Sequence, residues 1–405
     1  MWQAHLMEWV NLALRWTHII AGIAWIGSSF FFMWLDSHLE RGASPKPDIE
    51  GELWLVHSGG FYQIEKYQVA PPQMPATLHW FKWEAAATWI SGIALLIVAF
   101  YLTGGAFLVD AGSPFSAPVS TAIGIATLIA GWFIYDAIYR SALGRRGILA
   151  AALSFVLLVV AAYLMSEIFI GRAAYVHVGA LMGTIMAANV WSVVIPAQQK
   201  LVDATLAGEE RDASLGAAAK QRSVHNNYMT LPVVFIMVSS HYPSTYGHQM
   251  NWLVLIGMVL VGAMVRHYFN LRNGGARPSS GYWGWTWGAA AVGMVALMVY
   301  TAPAVLSRGS AERAAAVSFA EVEAIIAARC VACHSATPTD EIFVSAPGGV
   351  MFDTDVQIQA MAVAIRAQAV ASDIMPLGNK TGMTEPERDI LGRWIDAGAK
   401  IVEED

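Results

Sequence analysis

An all-α fold is the class this sequence predicts: a polytopic membrane bundle of about eight transmembrane helices followed by a small soluble domain. Two observations carry that expectation. The 405 residues are 56% hydrophobic but only 13% charged, about half the charged share usual for soluble domains. The charge is also divided unevenly at residue 305. Residues 1–305 hold 31 charged positions with a net charge of +1, whereas the 100 residues from 306 hold 23 with a net of −7. The first part reads as membrane-embedded and the second as an acidic soluble domain. Neither part is basic overall, which disfavours nucleic acid as a partner. The two cysteines lie three residues apart, which excludes a secreted disulfide scaffold.

Apolar stretches near 9–33, 84–103, 118–139, 147–166, 173–195, 227–242, 249–268 and 284–304 are each expected to cross the bilayer as a helix. The sixth is the weakest, being short and interrupted by Pro232. Tryptophans at the segment edges (Trp2, Trp9, Trp80, Trp83, Trp283, Trp285 and Trp287) suggest interfacial belts. Fourteen of the 16 Lys/Arg of residues 1–305 fall in the first, third, fifth and seventh connections or at the helix ends bordering them. Only one falls in the second, fourth and sixth. The positive-inside rule then puts the odd connections in the cytoplasm and both termini outside. Residues 35–82 form the longest connection, and their aromatic content predicts an ordered, re-entrant segment. Residues 306–318 read as a linker to a C-terminal domain over 319–405.

That domain carries the one strong motif. Cys330-Val331-Ala332-Cys333-His334 is the attachment sequence of a c-type haem. Two thiols three residues apart at the end of a helix reach two vinyl groups of one porphyrin, and the next His meets the iron. Phe319–Arg329 has the helical periodicity this needs. A zinc site would need a second ligand pair, and a redox dithiol would need a βαβ context. Of the downstream methionines (Met351, Met361, Met375 and Met383), Met375 in Asp373-Ile374-Met375-Pro376-Leu377-Gly378-Asn379 is the expected distal ligand, with Met383 second. A capped closing helix over Thr384–Ala397 with Trp394 completes the pattern of a class I cytochrome c. The cofactor expected is therefore one covalent haem c, its iron held by His334 and Met375.

Ionisable groups at membrane depth are functional candidates. Arg15, His18 and His177 fall toward the outer side as contacts for a substrate or for an intramembrane b-type haem; histidines hydrogen-bonded between helices are the alternative. On the cytoplasmic side, His79, Glu84, His225, Asn226 and Arg266 are the candidate catalytic residues. Asn amides beside a His can read the edge of a purine-like ring, and Arg266 with His267 can hold an anion. Interfacial capping and snorkelling are the alternative there. Neither a dinucleotide-binding glycine fingerprint nor a phosphate loop occurs.

Several stretches carry a family likeness: Arg15-Trp16-Thr17-His18 to Trp25-Ile26-Gly27, Gly59-Gly60-Phe61-Tyr62-Gln63-Ile64-Glu65-Lys66-Tyr67, His79-Trp80-Phe81-Lys82-Trp83-Glu84 and His225-Asn226-Asn227-Tyr228. With the haem motif behind them, the whole chain resembles the bacterial membrane-bound urate oxidase (urate hydroxylase) family. The resemblance implies eight spans and a fused cytochrome c. It also implies oxidation of urate to 5-hydroxyisourate, with electrons leaving through the haem to a respiratory acceptor, a cytochrome c or a terminal oxidase. Two other readings stay open: a subunit passing electrons from quinol to the cytochrome, and a transporter or sensor with a fused cytochrome.

Overall fold

The computed structural model describes residues 2–42, 46, 48–68, 70, 71, 73–273, 284–302, 317–343 and 345–401. Trp283 and residues 306–316 of the expected linker lie outside them. The membrane part consists of α1 (Trp2–His38), α2 (Trp83–Leu96, prolonged by a wide π turn at Ile97–Tyr101), α3 (Ala117–Arg140), α4 (Gly147–Ile168) and α5 (Gly171–Asn189). A π turn at Val190–Val194 joins α5 to α6 (Ile195–Ala207), followed by α7 (Ala213–Ser239), the short α8 (Pro243–Tyr246), α9 (Asn251–Asn273) and α10 (Gly284–Tyr300).

Six helical segments, 5–38, 83–101, 117–140, 147–168, 171–207 and 251–273, are long and apolar enough to cross a membrane. The chain is thus an α-helical multi-pass membrane protein. Two of the eight expected spans do not reach that standard, for different reasons. The stretch 227–242 begins in the second half of α7, whose first half carries Lys220, Arg222, His225 and Asn226. Its polar groups Arg222, Asn226, Asn227 and Thr230 are buried among other helices, which is how a polar helix is tolerated at this depth. The last stretch is helical but short, at 17 residues.

Outward-facing Ile, Leu, Val and Phe side chains on α1, α3, α4 and α10 are exposed, as a lipid-facing surface requires, and so are Trp2, Trp9, Trp83, Trp285 and Trp287. The core lies around α5, where Ala173, Ala174, Tyr175, His177 and Val178 are all fully enclosed.

The 35–82 connection departs from the all-α expectation. It forms a three-stranded antiparallel sheet, β1 (Glu40–Arg41), β2 (Ile49–His57) and β3 (Gly60–Tyr67), rather than a re-entrant segment. His57 pairs directly with Gly60 across Ser58-Gly59. Both turn residues have positive φ, 49° and 77°, which is the geometry a two-residue hairpin needs. Lys66 ties the sheet to the end of α1 through Asp36 and also pairs with Glu50 at 3.1 Å.

The C-terminal unit packs α11 (Phe319–Arg329), α12 (Asp355–Ala360), α13 (Ala362–Ile365) and α14 (Glu385–Asp396) around Val322, Ile326, Ile358, Leu391 and Trp394. Capping boxes start α11 (Ser318 with Glu321), α12 (Thr354 with Gln357) and α14 (Thr384 with Glu387). This unit rests on the second and sixth membrane connections. The Ala111 N–H donates to the Gly378 carbonyl at 2.8 Å, Phe107 meets Phe343 edge to face, and Ile374 packs on Gly247. Both connections are poor in Lys/Arg.

Candidate functional site

Three polar centres stand out. The first is in the C-terminal unit. The capped α11 ends at Arg329, and the chain tightens at once into a turn: the N–H groups of Cys333 and His334 both donate to the Cys330 carbonyl, at 3.2 and 2.9 Å. That turn presents Cys330, Cys333 and His334 to a cavity of about 860 Å³. His334 Nδ1 lies 3.0 Å from the Val350 carbonyl, an acceptor only, so Nδ1 carries the proton and Nε2 is left for the cavity. Met375 lines the same cavity. Its loop is pinned by the buried Arg388, which donates to the carbonyls of Ala369 and Met375 at 2.5 and 2.9 Å. Met383 instead sits in the hydrophobic core, 4% exposed. Burial pushes the Cys330 thiol up to about 12, with the neighbouring Cys333 adding to it. One wall of the cavity comes from the membrane part, including Phe107, Phe169, Arg172 and Tyr246.

The second centre, at the opposite end of the bundle, is two adjoining hydrogen-bond networks. In one, Tyr135 OH meets His225 Nδ1 at 2.6 Å, and the Asn189 amide donates to Tyr135 OH (3.2 Å) and to Asn226 Oδ1 (2.9 Å). The Asn226 amide in turn donates to the Met186 carbonyl, and the buried Arg222 pairs with Asp136 at 2.8 Å. In the other, Arg266 donates through Nε to Asn227 Oδ1 at 2.7 Å, and its guanidinium lies over Phe30 at 4.2 Å. His267 is bonded to Tyr228 OH at 2.6 Å. The five residues expected to form a catalytic group are therefore not gathered together. His225 and Asn226 share one network and Arg266 belongs to the next. His79 is exposed on the loop before α2, and Glu84 Oε2 is buried with no hydrogen-bond partner.

The third centre lies between α1, α2, α5 and α7. His18 Nδ1 is 2.9 Å from the Thr88 carbonyl and 3.1 Å from Ser91 Oγ. Its ring packs so closely on α2 that a Cβ at Gly92 would come within 2.9 Å of it. As with His334, the carbonyl fixes the proton on Nδ1 and leaves Nε2 as a lone-pair acceptor. His18 lines a cavity of about 280 Å³ together with Arg15, Arg172 and His241.

His177 has a different environment. Its Nδ1 donates to the Ala173 carbonyl at 2.7 Å, its Nε2 accepts from Tyr101 OH at 2.9 Å, and the ring stacks on Phe169 at 4.2 Å. With both nitrogens engaged and 1% exposure, this residue does not fit an iron ligand, so an intramembrane haem at His177 has no support. Among the described residues, no group of three or more His, Cys, Asp and Glu is placed to hold a metal ion.

Sequence reasoning missed Arg172, Tyr101, Tyr135 and Asn189. Arg172 had a visible signal, as the lone basic residue of the three Lys/Arg-poor connections. The partners Tyr101, Tyr135 and Asn189 had none, because their roles depend on which helix meets which.

Fold and centres together define a multi-pass helical membrane protein joined to a small cysteine-bearing helical unit. The model of the urate oxidase N-terminal family matches residues 4–302, and the chain belongs to that family. Neither a curated protein nor a solved structure matches it.

Proposed function

We propose that this chain oxidises urate in its membrane part and passes the electrons to a c-type haem held by its C-terminal unit, a class I cytochrome c. The overall change is urate plus water giving 5-hydroxyisourate, two electrons and two protons. Family membership supports the substrate. The observation that carries the electron route is the shared cavity: Cys330, Cys333, His334 and Met375 face a space walled on one side by the membrane part. The donor set fits the group, with two thiols for covalent attachment, an imidazole with a free Nε2 and a thioether. A haem bound there would supply a one-electron acceptor whose His/Met ligation favours the reduced iron.

The protein's own residues do the rest. Val350 fixes the His334 tautomer, and Arg388 holds the Met375 loop by two of its carbonyls. Phe107 and Ile374 seat the unit on the bundle. Two electrons leave in succession to an external respiratory acceptor, a cytochrome c or a terminal oxidase. The Lys/Arg-poor end on which the unit sits then faces the periplasm of an inner membrane.

Membranes containing the protein should consume urate without forming peroxide one-for-one. Cys330→Ala and Cys333→Ala proteins should lose both the covalent haem stain and urate consumption. Stoichiometric peroxide, or variants that oxidise urate undiminished, would overturn the reading.

A further inference from the structure

Within that reading, we infer that the cavity between α1, α2, α5 and α7 is where the purine anion binds, held by Arg15 and Arg172, with His18 as its proton acceptor. Four observations converge on this cavity. It measures about 280 Å³, roughly a third of the haem cavity, a size for one flat heterocycle and not for a porphyrin. Its walls are mostly apolar, with Trp25 and Trp89 available to lie against a ring. Its charged side chains are all of one sign. Arg15 and Arg172 both line the space, and among the described residues no carboxylate does. Arg172 Nε is buried without a hydrogen-bond partner, so this one donor of the half-buried guanidinium lacks the acceptor that its burial calls for. A monoanion between the two arginines supplies it.

His18 completes the chemistry. With Nδ1–H given to Thr88, its Nε2 accepts one of the two protons that urate loses as its electrons leave. The contrast with His177, whose Nε2 is already taken by Tyr101, separates a chemically available histidine from a structural one. The location also removes a difficulty. A site in the His225 or Arg266 networks would be separated from the haem by much of the ~30 Å hydrocarbon layer. Arg172, by contrast, lines both this cavity and the haem cavity, so the two spaces adjoin at this residue.

The test is equilibrium dialysis of labelled urate against anaerobic, detergent-purified full-length protein, alongside steady-state kinetics. Arg15→Gln and Arg172→Gln should each weaken urate binding by about tenfold or more. Gly183→Leu removes no contact, since nothing lies within 4 Å of a Cβ there, yet it fills the cavity and should block binding to a similar degree. His18→Gln should lower kcat by about a hundredfold or more with KM little changed. Parent protein that binds and oxidises urate while the Arg15, Arg172 and Gly183 variants bind it equally well overturns this site alone. So does loss of binding in Arg266→Gln with none in those three. Parent protein that binds no urate overturns the site together with the function.

Discussion

His18 and His177 read alike in sequence, each in an apolar stretch and each preceded by an aromatic residue two positions back. Their roles separate only through partners 70 and 76 residues away, Thr88 for His18 and Tyr101 for His177. No local pattern encodes that difference. The methionines show the reverse case. The Pro-stiffened loop from Asp373 to Asn379 is legible in the sequence, and Met375 on it lines the cavity with Cys330, Cys333 and His334, whereas Met383 packs in the core. On the proposed ligation, Met375→Ala should lose the weak thioether-to-iron absorption band and lower the haem potential while the unit stays folded. Met383→Ala should keep the band but destabilise the unit by about 2–5 kcal/mol, as a core cavity does. Optical spectra and denaturant unfolding of the two variants distinguish these outcomes; loss of the band in Met383→Ala would reverse the assignment.

Helices were legible where their ends carry chemistry. The expected Phe319–Arg329 helix has the predicted limits because Ser318 and Glu321 cap it and the cysteine turn ends it. The sheet at 40–67 departs from the re-entrant segment that the aromatic content of 35–82 predicts. Ser58-Gly59 between two extended segments is the local hairpin signal, and it is short beside the aromatic content around it. Arg329 and Glu387 join the end of α11 to the start of α14 at 2.9 Å. Burial pushes the Glu387 carboxyl up, but hydrogen bonds from Thr384 and Arg329 outweigh it and hold the group below the usual carboxylate range. Its stabilisation is therefore full at neutral pH and fades as pH falls through that depressed value. Glu387→Gln should cost about 0.5–1 kcal/mol at pH 7. The gap from the parent should close in acid, as read from thermal unfolding at several pH values. A gap independent of pH would contradict the account.

At the scale of the whole molecule, apolar length was enough to read an α-helical multi-pass bundle. It could not reveal that α7 is a polar helix shielded by its neighbours, since shielding is a property of the assembled bundle. The C-terminal unit and the Lys/Arg-poor connections share one end of the molecule, while the sheet and the end of α1 share the other. Reporter fusions after residue 305 and within residues 40–50 should accordingly give opposite sidedness, periplasmic for the first. Equal sidedness would contradict the orientation.

The central claim is that urate electrons pass inside one chain from the membrane part to the haem. Rapid mixing of oxidised, oxygen-free, purified protein with urate tests it most directly. The account predicts that the reduced c-type absorption bands appear within catalytic turnover times, with half a urate consumed per haem at completion. A haem that dithionite reduces but urate leaves oxidised would contradict it.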